Sequence, residues 1–171
     1  MPDPATDPMP LEVRRVRPEE YAEAGALVED AYTVGGLLDN DRGYGAHVRD
    51  VAGRAADHVV LVALRDGLLV GTVTIAPYGS PHSEMARECE VEFRYLGVAP
   101  RAWGTGVARA MVQACEDYAT STGAHTLIIC VIADNTAAHR LYERLGFFRV
   151  PERDWYPMPG VDLWAFERHL S

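Results

Sequence analysis

Apolar positions at Leu11, Val13 and Val16 alternate with polar ones and predict a short first strand. Pro18, Glu19 and Glu20 then suit the opening turn of a helix, whose apolar stripe follows as Tyr21, Ala24, Leu27, Val28 and Ala31. Over residues 33–56 the periodicity weakens. Gly35, Gly36, Asn40, Gly43 and Gly45 predict a loop, and Val48 and Val51 a short helix after it. A loop of this kind often borders a substrate pocket. Residues 59–64 and 68–76 are β-rich runs joined by Arg65-Asp66-Gly67, a hairpin signal because Gly accepts the positive φ of a tight turn.

Residues 90–98 alternate as a strand, with Val91, Phe93 and Tyr95 expected on one face and Glu90, Glu92, Arg94 and Leu96 on the other. Pro100 ends it. A helix is expected from Gly104 to Ser121, with the stripe Val107, Met111, Cys115 and Tyr118 and a stop at Gly123. The nearly all-apolar run at 127–133 predicts a central strand covered on both faces. A helix from Asn135 to Leu145 follows, then strands at 147–150 and 161–167, with a proline-rich connection between them. The chain thus predicts an α/β fold: one domain over residues 11–171 behind a disordered leader at 1–10, with a mixed sheet of six to seven strands flanked by about four helices.

Size agrees with one domain: 171 residues, 48% of them hydrophobic, can bury one core. No apolar run is long enough for a membrane span, and the first residues carry no basic-then-apolar signal. Cys89, Cys115 and Cys130 show no metal or disulfide spacing, which fits a reducing cytoplasm. The six histidines show no ligand spacing either, so no metal is expected. A net charge of −9 argues against nucleic acid and favours a cationic partner such as an amine. All 16 basic residues are arginine, which excludes Schiff-base chemistry and a phosphate-binding P-loop.

The most informative stretch is Trp103-Gly104-Thr105-Gly106-Val107-Ala108, a glycine turn opening a helix. First-turn N–H groups lack internal partners, the helix dipole adds positive charge, and glycines keep no Cβ in a ligand's way. A pyrophosphate cradle and a plain tight turn both fit this spacing. A dinucleotide-binding turn does not, because Arg109 stands where its third glycine would be.

Taken with Leu96-Gly97-Val98-Ala99-Pro100 before it, and with Asn135 and Leu141-Tyr142-Glu143-Arg144-Leu145-Gly146-Phe147 after it, the stretch resembles the GNAT acetyltransferase superfamily. The resemblance implies a GNAT-like, mostly antiparallel sheet and acetyl-coenzyme A as cosubstrate. It implies a diphosphate held by the main chain from Trp103 to Arg109, and pantetheine amides paired with Leu96 and Val98 in a cleft between two splayed strands. Trp103 stands where the family signature carries Arg or Gln, so Arg101 or Arg109 is the candidate for positive charge there. Asn135 is a helix N-cap by residue type and, by resemblance, a contact to the coenzyme.

Acetyl transfer to an amine needs a base, oxyanion donors and a proton for the leaving thiolate. By resemblance Tyr142 is the acid, with a core tyrosine as the other reading; the Val98 N–H is the oxyanion donor. Glu92 matches a frequent family glutamate and is the candidate base, direct or through water, with a surface charge ladder beside Glu90 and Arg94 as the alternative. Cys115 and Cys130 read as inert core thiols, which favours direct transfer in a ternary complex over a ping-pong route. His139, between Asn135 and Tyr142, reads as part of a solvated helix face, with reach into the cleft as the other reading. The acceptor is sought near Tyr32, residues 39–44 and 78–88, and Trp155 with Tyr156. A non-catalytic acyl-coenzyme A sensor, hydroxyl acceptors or longer acyl chains also fit the motifs, and the family's habit of pairing implies a possible homodimer without nucleic acid or membrane partners.

Overall fold

The computed structural model describes residues 10–37 and 44–171. Residues 1–9 of the expected leader, and residues 39–43 of the expected acceptor loop, lie outside this range. Eight strands form one sheet: β1 (Glu12–Arg15), β2 (Val59–Arg65), β3 (Leu68–Pro77), β4 (Glu90–Val98), β5 (Thr126–Ile132), β6 (Phe148–Arg149), β7 (Trp155–Met158) and β8 (Val161–His169). Their order is β1-β2-β3-β4-β5-β8-β6, with β7 also paired to β8, and β4 with β5 is the parallel pair in an otherwise antiparallel sheet.

Among the described residues five α-helices accompany it: α1 (Tyr21–Val34), α2 (Tyr44–Arg49), α3 (Val51–Asp57), α4 (Val107–Ser121) and α5 (Thr136–Arg144). The single short helix expected around Val48 and Val51 is two, divided at Asp50, whose side chain accepts from Gly53 N and caps α3. The proline-rich connection also holds a strand, because β7 turns at Gly160 into a hairpin with β8. Among the described residues no helix is long and apolar enough to cross a membrane.

The main core lies under α4 and α5. Met111, Val112, Cys115 and Ala119 from α4 and Tyr142 from α5 pack on Val73, Ile75, Phe93, Leu127 and Ile129 of the sheet. On the opposite face α1 and α3 contribute Ala24 and Val51 against Val60, Val62, Leu64 and Leu69. Helix α4 sits low at its start: an ideal Cβ on Gly71 of β3 would lie 2.8 Å from Val107 Cγ1.

Strand β4 departs from simple alternation. Thr72 pairs with Gly97 and Thr74 with Arg94, so β4 carries one residue more than β3 over this interval. Tyr95 takes φ +55° in the bulge and turns to the α1 face, where it packs with Val28, Val48 and Tyr32. Phe93 and Leu96 face the main core instead. The expected grouping of Tyr95 with Val91 and Phe93 is therefore corrected: the extra residue reverses the pleat, placing Arg94 and Tyr95 on the same side.

Candidate functional site

Strands β4 and β5 pair only over Glu90–Glu92 and Thr126–Ile128, then separate. The bulge bends β4 away from its neighbour just beyond that point, and a cleft of about 680 Å³ opens between them. One wall carries residues 93–98 and the start of α4; the other carries 129–132 of β5 and Asn135, Ala138, Leu141 and Tyr142.

At the α4 end, the Gly-Thr-Gly turn gives helix-incompatible backbone at Gly104 (φ +73°) and Gly106 (φ +89°). This is why α4 begins at Val107 rather than at the expected Gly104, with Gly106 as its N-cap. The ladder opens with Ala110 N to Gly106 O, and among the described residues no loop or side-chain acceptor takes an N–H from 104 to 109. An ideal Cβ on either glycine meets nothing within 4 Å. Free donors, dipole and open space therefore coincide, which is the donor set a diphosphate requires.

Thr105 is steadied by Arg65, whose guanidinium donates to its hydroxyl at 2.9 Å and its carbonyl at 3.2 Å. Arg101 does not serve the cradle: it donates to Leu69 O at 2.8 Å, away from the cleft lining. Arg109 does line the cleft, as does Arg144, which sequence reasoning missed.

Ala99 N bonds Val70 O, so in this antiparallel register Val98, one residue earlier, aims its N–H and C=O away from β3 and toward the cleft, which Leu96 also lines. Val98 O accepts from Trp103 Nε1 at 2.8 Å. The indole thus has a role of its own at the signature's departed position. Asn135 caps α5 through Oδ1 to Ala138 N at 3.2 Å and also faces the cleft.

Tyr142 is 4% exposed and sits edge-on to Phe93 and Phe147 with centroids 5.9 and 5.5 Å away. Its hydroxyl makes no protein hydrogen bond among the described residues, while the residue lines the cleft. Burial, and secondarily the nearby Cys115, hold the phenol well above its ordinary pKa, so it keeps its proton at neutral pH.

Glu92 is 2% exposed, which removes the surface-ladder reading. Its Oε2 accepts from Glu84 N at 2.8 Å, Met85 N at 3.0 Å and Ser83 Oγ at 3.4 Å, and its Oε1 lies 3.9 Å from Arg94 Nε. Burial raises its pKa despite these donors. Glu90 pairs not with Arg94 but with Arg153, which also binds Glu167 and the carbonyl of Met85.

Of the expected acceptor residues, Tyr32, Tyr44 and Glu84 line the cleft, whereas Tyr78, Trp155 and Tyr156 are outside its lining. His139 is buried against Trp164 and Phe166 with Nε2 on Ile132 O, not on a solvated face. Cys115 is fully buried, but Cys130 is half-buried in the cleft wall with its sulfur accepting from Trp155 Nε1 at 3.4 Å. Among the described residues no group of His, Cys, Asp and Glu could hold a metal ion.

Comparison with known proteins gives three concordant results. The sequence model described as "Acetyltransferase (GNAT) family" matches residues 26–147. Curated relatives include the N-acetylaspartate synthetase of Homo sapiens, 31% identical over 107 residues covering 63% of this chain and 33% of the relative. They also include a mycothiol acetyltransferase of Renibacterium salmoninarum, 40% identical over 70 residues covering 41% of this chain and 21% of the relative. The chain thus spans a third or less of these two proteins. In fold it is similar to the PaiA N-acetyltransferase of Thermoplasma acidophilum in complex with coenzyme A, with a TM-score of 0.74, 14% identity, and coverage of 94% of this chain and 99% of that one.

Proposed function

The chain belongs to the GNAT family of acetyltransferases, and on that premise we propose that it transfers the acetyl group of acetyl-coenzyme A to a primary amine within a ternary complex. The observation that carries this reading is one cleft with unpaired helix amides at one end and a buried carboxylate and phenol along its walls. The amides of 104–109 grip the diphosphate, Val98 and Leu96 present main-chain groups to the pantetheine arm, and Asn135 offers its remaining amide donors.

Glu92 accepts a proton from the acceptor's ammonium, directly or through water. The amine then attacks the thioester carbonyl, whose oxygen draws on the Val98 N–H. As the carbon–sulfur bond breaks, Tyr142 gives its phenolic proton to the departing thiolate; the second proton of the attacking nitrogen leaves to solvent, solvent reprotonates Tyr142, and Glu92 releases its own proton to solvent. The raised pKa of Glu92 makes it a stronger base than an ordinary carboxylate, and the raised pKa of Tyr142 keeps the phenol in the protonated form an acid needs, while lowering its strength as an acid.

Purified protein given acetyl-coenzyme A and a panel of amines, polyamines, aminoglycosides and peptides should release free thiol with at least one acceptor. Coenzyme binding without thiol release from any of them would favour a sensor module instead.

A further inference from the structure

The acceptor end of the cleft has a polarity that the coenzyme does not use. The β4 bulge turns Arg94 and Tyr95 to the α1 side together, and two guanidinium groups flank the Tyr95 ring, Arg54 at 4.1 Å and Arg94 at 4.9 Å from its centroid. Arg54 is 2% exposed. It donates to Thr74 Oγ1, Val48 O and His47 O, and no carboxylate among the described residues pairs with it. A buried cation without a counter-ion is costly, and its field reaches the cleft through the Tyr95 wall.

Arg94 itself lines the cleft. Its Nη1 donates to His82 O at 3.0 Å and lies 3.4 Å from Glu84 Oε1, leaving Nη2 without a hydrogen-bond acceptor among the described residues. Tyr32 and Tyr44 line the same end, and among the described residues neither hydroxyl makes a hydrogen bond. Donors therefore outnumber acceptors on this side, while Glu92 Oε1, the amine's destination, lies 3.9 Å from Arg94 Nε.

We infer that the acceptor is a free amino acid whose carboxylate is bound by Arg94 with Tyr32 and Tyr44, while its amine is presented to Glu92. The inference rests on the acetyl-transfer reading of this cleft. A planar, singly charged carboxylate suits the guanidinium fork. A phosphate, with up to two charges, would be opposed by Glu84 and Glu92 beside the same arginine. A polyamine would meet the two arginines around Tyr95 and leave the tyrosine donors unmatched.

The test compares each amino acid with the amine that lacks its carboxylate, such as tyrosine with tyramine and histidine with histamine, by thiol release and by calorimetric titration into coenzyme-saturated protein. Expected are a preference of at least about tenfold in kcat/KM or affinity for one or more amino acids over the matched amine, and loss of that preference in Arg94→Gln, read as the ratio of the two acceptors because removing Arg94 also acts on Glu92 and moves both rates. Glu84→Gln, which frees Arg94 from a competing carboxylate and keeps the main-chain donor to Glu92, should improve the amino acid's kcat/KM or affinity severalfold. Equal use of both members of every pair, equal losses for both in Arg94→Gln, or a loss in Glu84→Gln would overturn the inference while leaving acetyl transfer standing. Absence of thiol release throughout would sink the transfer reading itself; calorimetry would then still decide whether Arg94 binds a carboxylate.

Discussion

Replacing Tyr142 by Phe separates a chemical role from a structural one. The ring is 4% exposed and packs edge-on against Phe93 and Phe147, contacts that Phe retains. The hydroxyl has no protein hydrogen bond to lose among the described residues. Stability should therefore stay within about 0.5 kcal/mol of the parent, a shift of roughly 1–2 °C in Tm for a domain of this size. If the phenol protonates the leaving thiolate, kcat should fall about 10²–10³-fold, equivalent to roughly 3–4 kcal/mol of transition-state stabilisation. KM for acetyl-coenzyme A should move less than about threefold, because the diphosphate is held elsewhere. Since burial raises the phenol's pKa, Tyr142 remains the protonated, active form throughout ordinary assay pH, and the parent should show no alkaline loss of kcat from this group below about pH 10. Thiol release and thermal denaturation of the two proteins suffice. Unchanged kcat would refute the acid role; a drop of many degrees would show that the hydroxyl holds structure.

Glu92→Gln should lower kcat about 100-fold at neutral pH and abolish the acidic limb of the rate profile, a limb that in the parent lies above the ordinary carboxylate range because activity requires the ionised form. Its melting temperature should change in the opposite sense: the raised pKa means that Glu92 favours folding below the ordinary carboxylate pKa and loses that contribution as pH rises, so Gln should match or exceed the parent at pH 8. Gly106→Ala forces a side chain into left-handed backbone at φ +89°, costing about 1 kcal/mol of stability and weakening coenzyme affinity about tenfold by calorimetry. Arg153→Met strands Glu90 and Glu167, whose side chains are 10% and 15% exposed, and should cost about 3 kcal/mol in denaturant titration. Glu20, held to about 2 by its hydrogen bond to Arg14, supports folding above the ordinary carboxylate pKa and loses that support as pH falls toward 2; Glu20→Gln should flatten that acid limb in melting experiments.

Much of the site was legible because it is made of backbone. The Gly-Thr-Gly turn states its own conformation, and Asn135 its capping role, since both depend on local geometry that residue type controls. Glu92 and Tyr142 were placed by motif, and their burial follows from lying beside the splayed strands. What periodicity could not reveal was the bulge: one extra residue in β4 leaves the composition strand-like yet moves Tyr95 to the other face and puts Arg94 beside it. A non-glycine residue at positive φ has no reliable mark in the residues themselves. His139 was misjudged because a polar residue on a helix reads as solvent-facing until Trp164, distant in sequence, stacks on it. Arg65 at the turn and Arg144 at the cleft were missed for the same reason, as long-range partners have no local signature.

The close seating of Val107 over Gly71 narrows the routes by which such a chain can diversify. Any side chain at Gly71 would lift the first turn of α4, and with it the whole row of amides proposed to meet the diphosphate, although Gly71 itself belongs to a different strand. Position 71 therefore acts as a spacer whose thickness is zero, and a library that spares the glycine turn but randomises the middle of β3 should lose coenzyme binding without altering a single residue of the cradle.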